Sequence, residues 1–162
     1  MKNYFLALDK DINKQYNDAV FYYQKSIDEK ELNIEAYLNL SFLYWNFQDF
    51  GFFTYYNISE ELREIGCLKY TEIIEEGIQQ YPNNLELNFW KRYFQHIIYG
   101  EEFSAQDCMK LIEEYGDTNS KVPYFFLYLF DKGRYKEEKV KLIEECNKEP
   151  TAKNLYIKSV LG

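Results

Sequence analysis

Residues 16–45 read YNDAVFYYQKSIDEKELNIEAYLNLSFLYW. Val20, Tyr23 and Ile27 recur at steps of three and four. Tyr37, Leu40, the run Phe42-Leu43-Tyr44 and then Phe47 do the same. Each set marks one apolar face of a helix with 3.6 residues per turn. Two helices are therefore expected, over about 17–30 and 34–47.

The side-chain sizes in this stretch carry a second pattern. Tyr16, Ala19, Tyr23 and Ser26 run aromatic, small, aromatic, small. Tyr37, Leu40, Ser41 and Tyr44 run aromatic, leucine, small, tyrosine. On these eight residues the stretch resembles the second helix of one tetratricopeptide repeat (TPR) and the first helix of the next. That family pairs two antiparallel helices in a unit of about 34 residues. The resemblance implies an all-α, TPR-like α-solenoid of about four antiparallel hairpins, and a general class of work, holding another protein.

Working outward, residues 1–10 suit the first helix of repeat one, with Leu6 and Ala7 as the family's leucine–small pair. Aligning the small position of the second helix pairs Ser26 with Gly77, a spacing of 77 − 26 = 51. That exceeds the family period by roughly 17 residues. The second repeat is thus enlarged, with an aromatic insertion at about 50–69. A loop is expected at 48–58, then a long helix over 59–80 opened by Ser59 with Glu60 and Glu61 in its first turn.

Tyr81-Pro82-Asn83-Asn84 punctuates the chain before a helix at 85–99, which Gly100 ends. Here Arg92 or Tyr93 replaces the family's small residue. Ser104 with Asp107 has the spacing of a capping box for a helix at 104–115, closed by Gly116-Asp117. A helix at 120–132 with Pro123 in its first turn, the turn Gly133-Arg134-Tyr135 and a helix at 136–147 make repeat four. Residues 151–161 form a C-terminal capping helix, so residues 1–162 form a single domain. The word Ile-Ile-Glu-Glu at 73–76 returns as Leu-Ile-Glu-Glu at 111–114 and 142–145, with the carboxylates expected outward.

Composition narrows the function. Few breakers, three prolines and seven glycines, favour long helices. A formal charge of −8 argues against nucleic acid and anionic membrane surfaces, and suits a basic protein partner. Aromatics at 20% fill helix interfaces or form a binding surface. Cys67, Cys108 and Cys146 contain no CxxC pair and read as reduced, buried thiols of a cytoplasmic protein. The apolar run at 4–8 is too short for a signal peptide, and no segment reaches transmembrane length.

No metal, cofactor or catalytic set is expected. His96 is the single histidine, without neighbouring ligands, and no nucleophile elbow or phosphate loop occurs. The paired glutamates read as a solvated face. The resemblance places partners on an inner groove, here Tyr4, Leu8, Leu38, Phe42, Trp45, Asn46, Phe89, Tyr93 and His96, extended by Leu127 and Phe130. Chaperone-tail clamps of the family need Lys and Asn at set inner positions, and only Asn39 fits. The same groove residues are equally readable as core. Phe50, Phe52, Phe53, Tyr55 and Tyr56 of the insertion are a second candidate surface, or a plug over the groove. The expected function is a non-catalytic protein-interaction module. Sharper versions are an immunity protein neutralising a basic toxin domain, or a chaperone for a secreted protein. The oligomeric state is left open.

Overall fold

A computed structural model describes residues 1–116 and 120–162. They form ten helices: α1 (Lys2–Ile12), α2 (Tyr16–Asp28), α3 (Ile34–Asn46), α4 (Phe50–Tyr55), α5 (Glu60–Gln80), α6 (Leu85–Tyr99), α7 (Ala105–Glu114), α8 (Tyr124–Phe130), α9 (Lys136–Lys148) and α10 (Ala152–Leu161). The fold is all-α, and no strand occurs among the described residues. Apart from α4, each helix packs on its neighbours in sequence: α1 on α2, α2 on α3, α3 on α5, α5 on α6, and so on to α9 on α10. α10 also reaches back onto α3 and α8.

Local chemistry sets the helix starts. The side chains of Asn33, Ser59 and Asn84 accept amide protons at the first turns of α3, α5 and α6, as N-caps do. Ser104 and Asp107 form the reciprocal capping box of α7. α1 lacks a cap of its own, and Glu31 supplies it from the turn after α2. The Glu31 carboxylate accepts the amides of Asn3 and Tyr4, each at 2.9 Å, and the hydroxyl of Ser26 at 2.8 Å. Burial pushes this carboxyl up, but the three donors outweigh it and lower it to about 2.

Three expectations change. Residues 50–55 are helical rather than loop, because Asp49 accepts the Phe52 amide at 2.8 Å. Phe52 and Tyr56, four residues apart, then share one face and pack on Tyr16, with centroids at 5.0 and 4.8 Å. The helix expected at 120–132 shrinks to α8, because Pro123 sits at its N-cap and Asp131 turns away to accept the Arg134 amide. Cys67 is exposed, on the outer face of α5, whereas Cys108 and Cys146 are buried. Of the expected Gly116-Asp117 stop, Gly116 lies in a turn and Asp117 falls outside the described residues.

One contiguous core runs from Tyr4 to Leu161. Small residues sit where helices press together: Ala7, Ala19, Ser26 and Ser41 are buried. At Gly77 a Cβ would meet Tyr37 at 3.0 Å, and at Gly66 it would meet the Tyr44 carbonyl oxygen at 2.9 Å. The second contact is with backbone, which cannot swing aside.

Gly66→Ala should therefore destabilise by about 1–3 kcal/mol despite a helix-propensity gain of up to about 1 kcal/mol. Gly133→Ala, with nothing nearer than 3.7 Å, should stay within about 0.5 kcal/mol of the parent. Urea unfolding of the two variants makes the comparison, and equal stabilities would refute the close α3–α5 approach.

Candidate functional site

The expected inner groove is filled. Tyr4, Leu38, Phe42, Phe89 and Tyr93 are buried, and only Leu8, Trp45, Asn46 and His96 keep partial exposure. Leu127 is buried as well, leaving Phe130 exposed at the end of α8. The filler is α10. Its Tyr156 ring lies 5.4 Å from both Phe42 and Trp45 and 6.4 Å from Tyr93 and Phe125. The hydroxyls of Tyr156 and Tyr93 bond to each other, so neither is left unsatisfied. Phe42, Phe89 and Tyr93 are thus core residues rather than an open surface.

Charged groups hold α10 in place. Lys153, 3% exposed, puts its ammonium 2.6 Å from Glu86 Oε1 and 3.4 Å from Glu35 Oε2. Burial alone would lower its pKa, but the two carboxylates raise it above the ordinary lysine value. Glu86 also accepts Trp90 Nε1 at 3.2 Å and the Ser120 hydroxyl at 3.2 Å. At the residue before Lys153, Asp11 accepts the Ala152 amide at 2.8 Å, and it also accepts the Tyr23 hydroxyl at 2.9 Å. Burial pushes the Asp11 carboxyl up to about 6, against those two donors. Asn39 donates to the Tyr23 hydroxyl at 3.2 Å, so the one residue matching a carboxylate clamp is spent inside the core.

These residues line, in part, a cavity of about 470 Å³ with Lys121, Lys148, Glu145 and Glu149. Its three lysines face four glutamates, and the buried lysine is already taken by two of them. The arrangement clamps a helix.

None of Asp11, Glu35, Glu86 or Lys153 was singled out by the sequence. A signal existed for two of them. Asn33-Ile34-Glu35 and Asn84-Leu85-Glu86 are the same word at the same 51-residue spacing as Ser26 and Gly77. A glutamate repeated two places after a cap marks a common position, buried at Glu86 and half-exposed at Glu35. Nothing in 151–161 distinguishes Lys153 from a solvated lysine.

The segment expected to be an insertion has two faces. Phe52, Phe53 and Tyr56 are half-buried, with Arg63 lying 4.1 Å over the Phe53 ring. Phe50 and Tyr55 point out, 73% and 80% exposed. Between α4, the end of α3 and α10 lies a pocket of about 370 Å³, walled by Tyr16, Phe52, Tyr56 and Tyr156 with Asn46 and Asp49. The structure therefore brings Asn46 of the expected groove together with Phe52 and Tyr56 of the insertion, and adds Tyr156.

His96 is not part of it. Its Nδ1 lies 2.8 Å from the Glu101 carbonyl oxygen, which can only accept, so Nδ1 carries a proton. Its ring meets Phe103 and Phe126 edge-on. The carboxylates of Glu76, Glu113, Glu114, Glu144 and Glu145 are on exposed residues and that of Glu75 on a half-buried one. Among the described residues no His, Cys, Asp and Glu group has metal-holding geometry, and no helix is long and apolar enough to cross a membrane.

No family model matches the chain, and no curated protein or solved structure matches it either.

Lys153→Met should cost about 3–5 kcal/mol in urea unfolding at pH 7, because it strands the buried Glu86 carboxylate. A loss below about 1 kcal/mol would show that the clamp contributes no more than a surface pair. Asp11 predicts a separate pH effect. Its folded pKa is raised from 3.8 to about 6, so the folded state holds the proton more tightly. Its contribution is full below the unfolded value and is lost as pH rises through the folded one. Thermal melts from pH 4 to pH 7 should show that decline in the parent and a flatter profile in Asp11→Asn. Parallel profiles would contradict the assignment.

Proposed function

We propose that this chain is a non-catalytic protein-interaction module of TPR-like hairpins that binds a protein partner at the edge formed by α4 and α10. The observation that carries this is the division of α4 into an inner face stapled to Tyr16 and an outer face presenting Phe50 and Tyr55 to solvent. Two large aromatics held outward on a fixed helix resemble the anchors of protein interfaces. The TPR-like part of the reading is supported by the sequential packing of helix pairs and by the burial of Ala19, Ser26, Ser41 and Gly77, the small positions of the resemblance. Fold analogy alone does not assign a function. The filling of the inner groove by α10 moves the binding surface from the helix interior, where the resemblance put it, to this edge.

A second reading, a cytoplasmic immunity protein acting on a basic toxin domain, draws on the net charge of −8 and the outward carboxylates of α7 and α9. It requires one tight partner whose association slows as salt rises. The residues where a chaperone would hold loosely folded clients, Phe42, Phe89 and Tyr93, are buried, with α10 packed on Phe42 and Tyr93.

Affinity capture from the source organism, with the parent chain and the Phe50→Ser/Tyr55→Ser double variant side by side, tests the α4 edge. The parent should retain a stoichiometric protein that the double variant loses by tenfold or more, on the order of the 1.4 kcal/mol that one such anchor supplies. Both substituted side chains are exposed, so the circular dichroism melt should be unchanged. Equal capture by both proteins would move the interface off α4. A partner retained only at low salt, and lost instead on reversing Glu144 and Glu145 to lysine, would favour the immunity reading.

A further inference from the structure

The pocket between α4 and α10 has a composition that selects its occupant. Its walls are four aromatic rings, those of Tyr16, Phe52, Tyr56 and Tyr156. Tyr16 and Tyr56 meet edge to face with centroids at 4.8 Å, and Phe52 lies 5.0 Å from Tyr16 and 4.8 Å from Tyr56. Asp49 is the single charged residue among those lining it. One Asp49 oxygen is engaged by the Phe52 amide at 2.8 Å. The other has no protein donor among the described residues. The side-chain amide of Asn46, half-buried at the same wall, likewise makes no hydrogen bond among the described residues. Behind the Ala152 wall lies a second carboxylate, Asp11, bonded to the Ala152 amide.

The cations nearby are turned elsewhere. Lys153 is held by Glu86 and Glu35 and lines the neighbouring cavity rather than this pocket, and Lys158 donates to Asn147 at 2.7 Å. Arg63 is stacked on Phe53. An anion entering this pocket would meet ring faces and a carboxylate with no compensating charge. Asp49 is exposed, so its second oxygen stays open to solvent, and a neutral apolar group would gain nothing from that carboxylate. A cation is the occupant this lining favours: aromatic rings attract it through their quadrupoles, the carboxylate adds charge, and the amide oxygen of Asn46 can accept a hydrogen bond from it. The volume of about 370 Å³ is at the small end of ligand pockets, the scale of one extended side chain.

From this we infer that the α4–α10 pocket binds the cationic side chain, lysine or arginine, of a protein partner. The inference rests on the protein-interaction reading above. A chain of net charge −8 attracts basic surfaces, and Phe50 and Tyr55 stand on the same short helix that supplies the Phe52 wall and runs into Tyr56. The pocket thus gives the edge an anchor of defined chemistry: a basic side chain inserted beside an apolar contact.

The test uses the full chain and short capped peptides. Isothermal titration and amide shift mapping would compare a peptide with one central lysine, its arginine version, its norleucine version and free tetramethylammonium. The lysine or arginine peptide should bind at least about fivefold more tightly than norleucine, with shifts at Asn46, Asp49 and Tyr156. Asp49→Asn keeps the cap, since asparagine caps as well as aspartate, and should erase most of that difference without lowering the melt. Tyr156→Phe keeps the ring and should retain it. Equal binding of the cationic and norleucine peptides, or full discrimination by Asp49→Asn, would overturn the assignment. Binding of tetramethylammonium without any preference for the cationic peptides would also overturn it, by making the occupant a free small cation. Failure here is separable from failure of the interaction reading, which stands on capture lost with Phe50 and Tyr55. A partner held by the parent and undiminished by Asp49→Asn keeps that reading while removing this pocket from it.

Discussion

The ammonium of Lys153, sealed between the carboxylates of Glu86 and Glu35, is the constraint on which the arrangement of this chain turns. Taking an ammonium and a carboxylate out of water costs several kcal/mol each, and only close, well-satisfied geometry returns it. That geometry exists at one position of α10. Two carboxylates, from α3 and α6, and the Asp11 carboxylate on the Ala152 amide fix where the first turn of α10 lies. Any other register of α10 would strand a buried charge, which restricts how the helix can dock.

Once the first turn is placed, the rest of α10 follows. Tyr156 stands three residues after Lys153, on the same helical face, and enters the space between Phe42, Trp45 and Tyr93. Its hydroxyl meets that of Tyr93, so two large rings share one helix crossing with both polar ends paired. Large rings on both sides satisfy each other's polar ends and share the volume. The high aromatic content thus serves the interior, as tyrosines paired through their hydroxyls, before it serves any surface. With the expected groove residues taken into the core, the edge between α4 and α10 is one place where aromatic walls open to solvent.

Much of the helical order was legible. Periodicity in 16–47 placed α2 and α3 within two residues, because amphipathic faces are a local property of the chain. Ser59 and the pair Ser104 and Asp107 announced the starts of α5 and α7, since a cap needs only its own turn. The short helix α4 was missed because six residues carry too little periodicity, and its stability comes from Tyr16, more than thirty residues away. Pro123 was read as helical although it caps, a difference of one position that sequence rules do not resolve.

The site was harder to read. Phe42 and Phe89 look alike as groove or core, because an apolar side chain on a helix face does not say what covers it. The sequence by itself determined the all-α class, most helix boundaries, the acidity and the cluster of aromatics at 50–56, all of which depend on composition and short-range spacing. The tertiary structure alone decided that α10 closes the groove, that Lys153 is buried rather than solvated, and that Asn46, Asp49, Phe52 and Tyr156 meet. Those facts depend on contacts between residues as far apart as Asp11 and Ala152, 141 positions apart. Their energy comes from desolvated charges and shared ring volume, and no local pattern in the chain records which distant partner completes them.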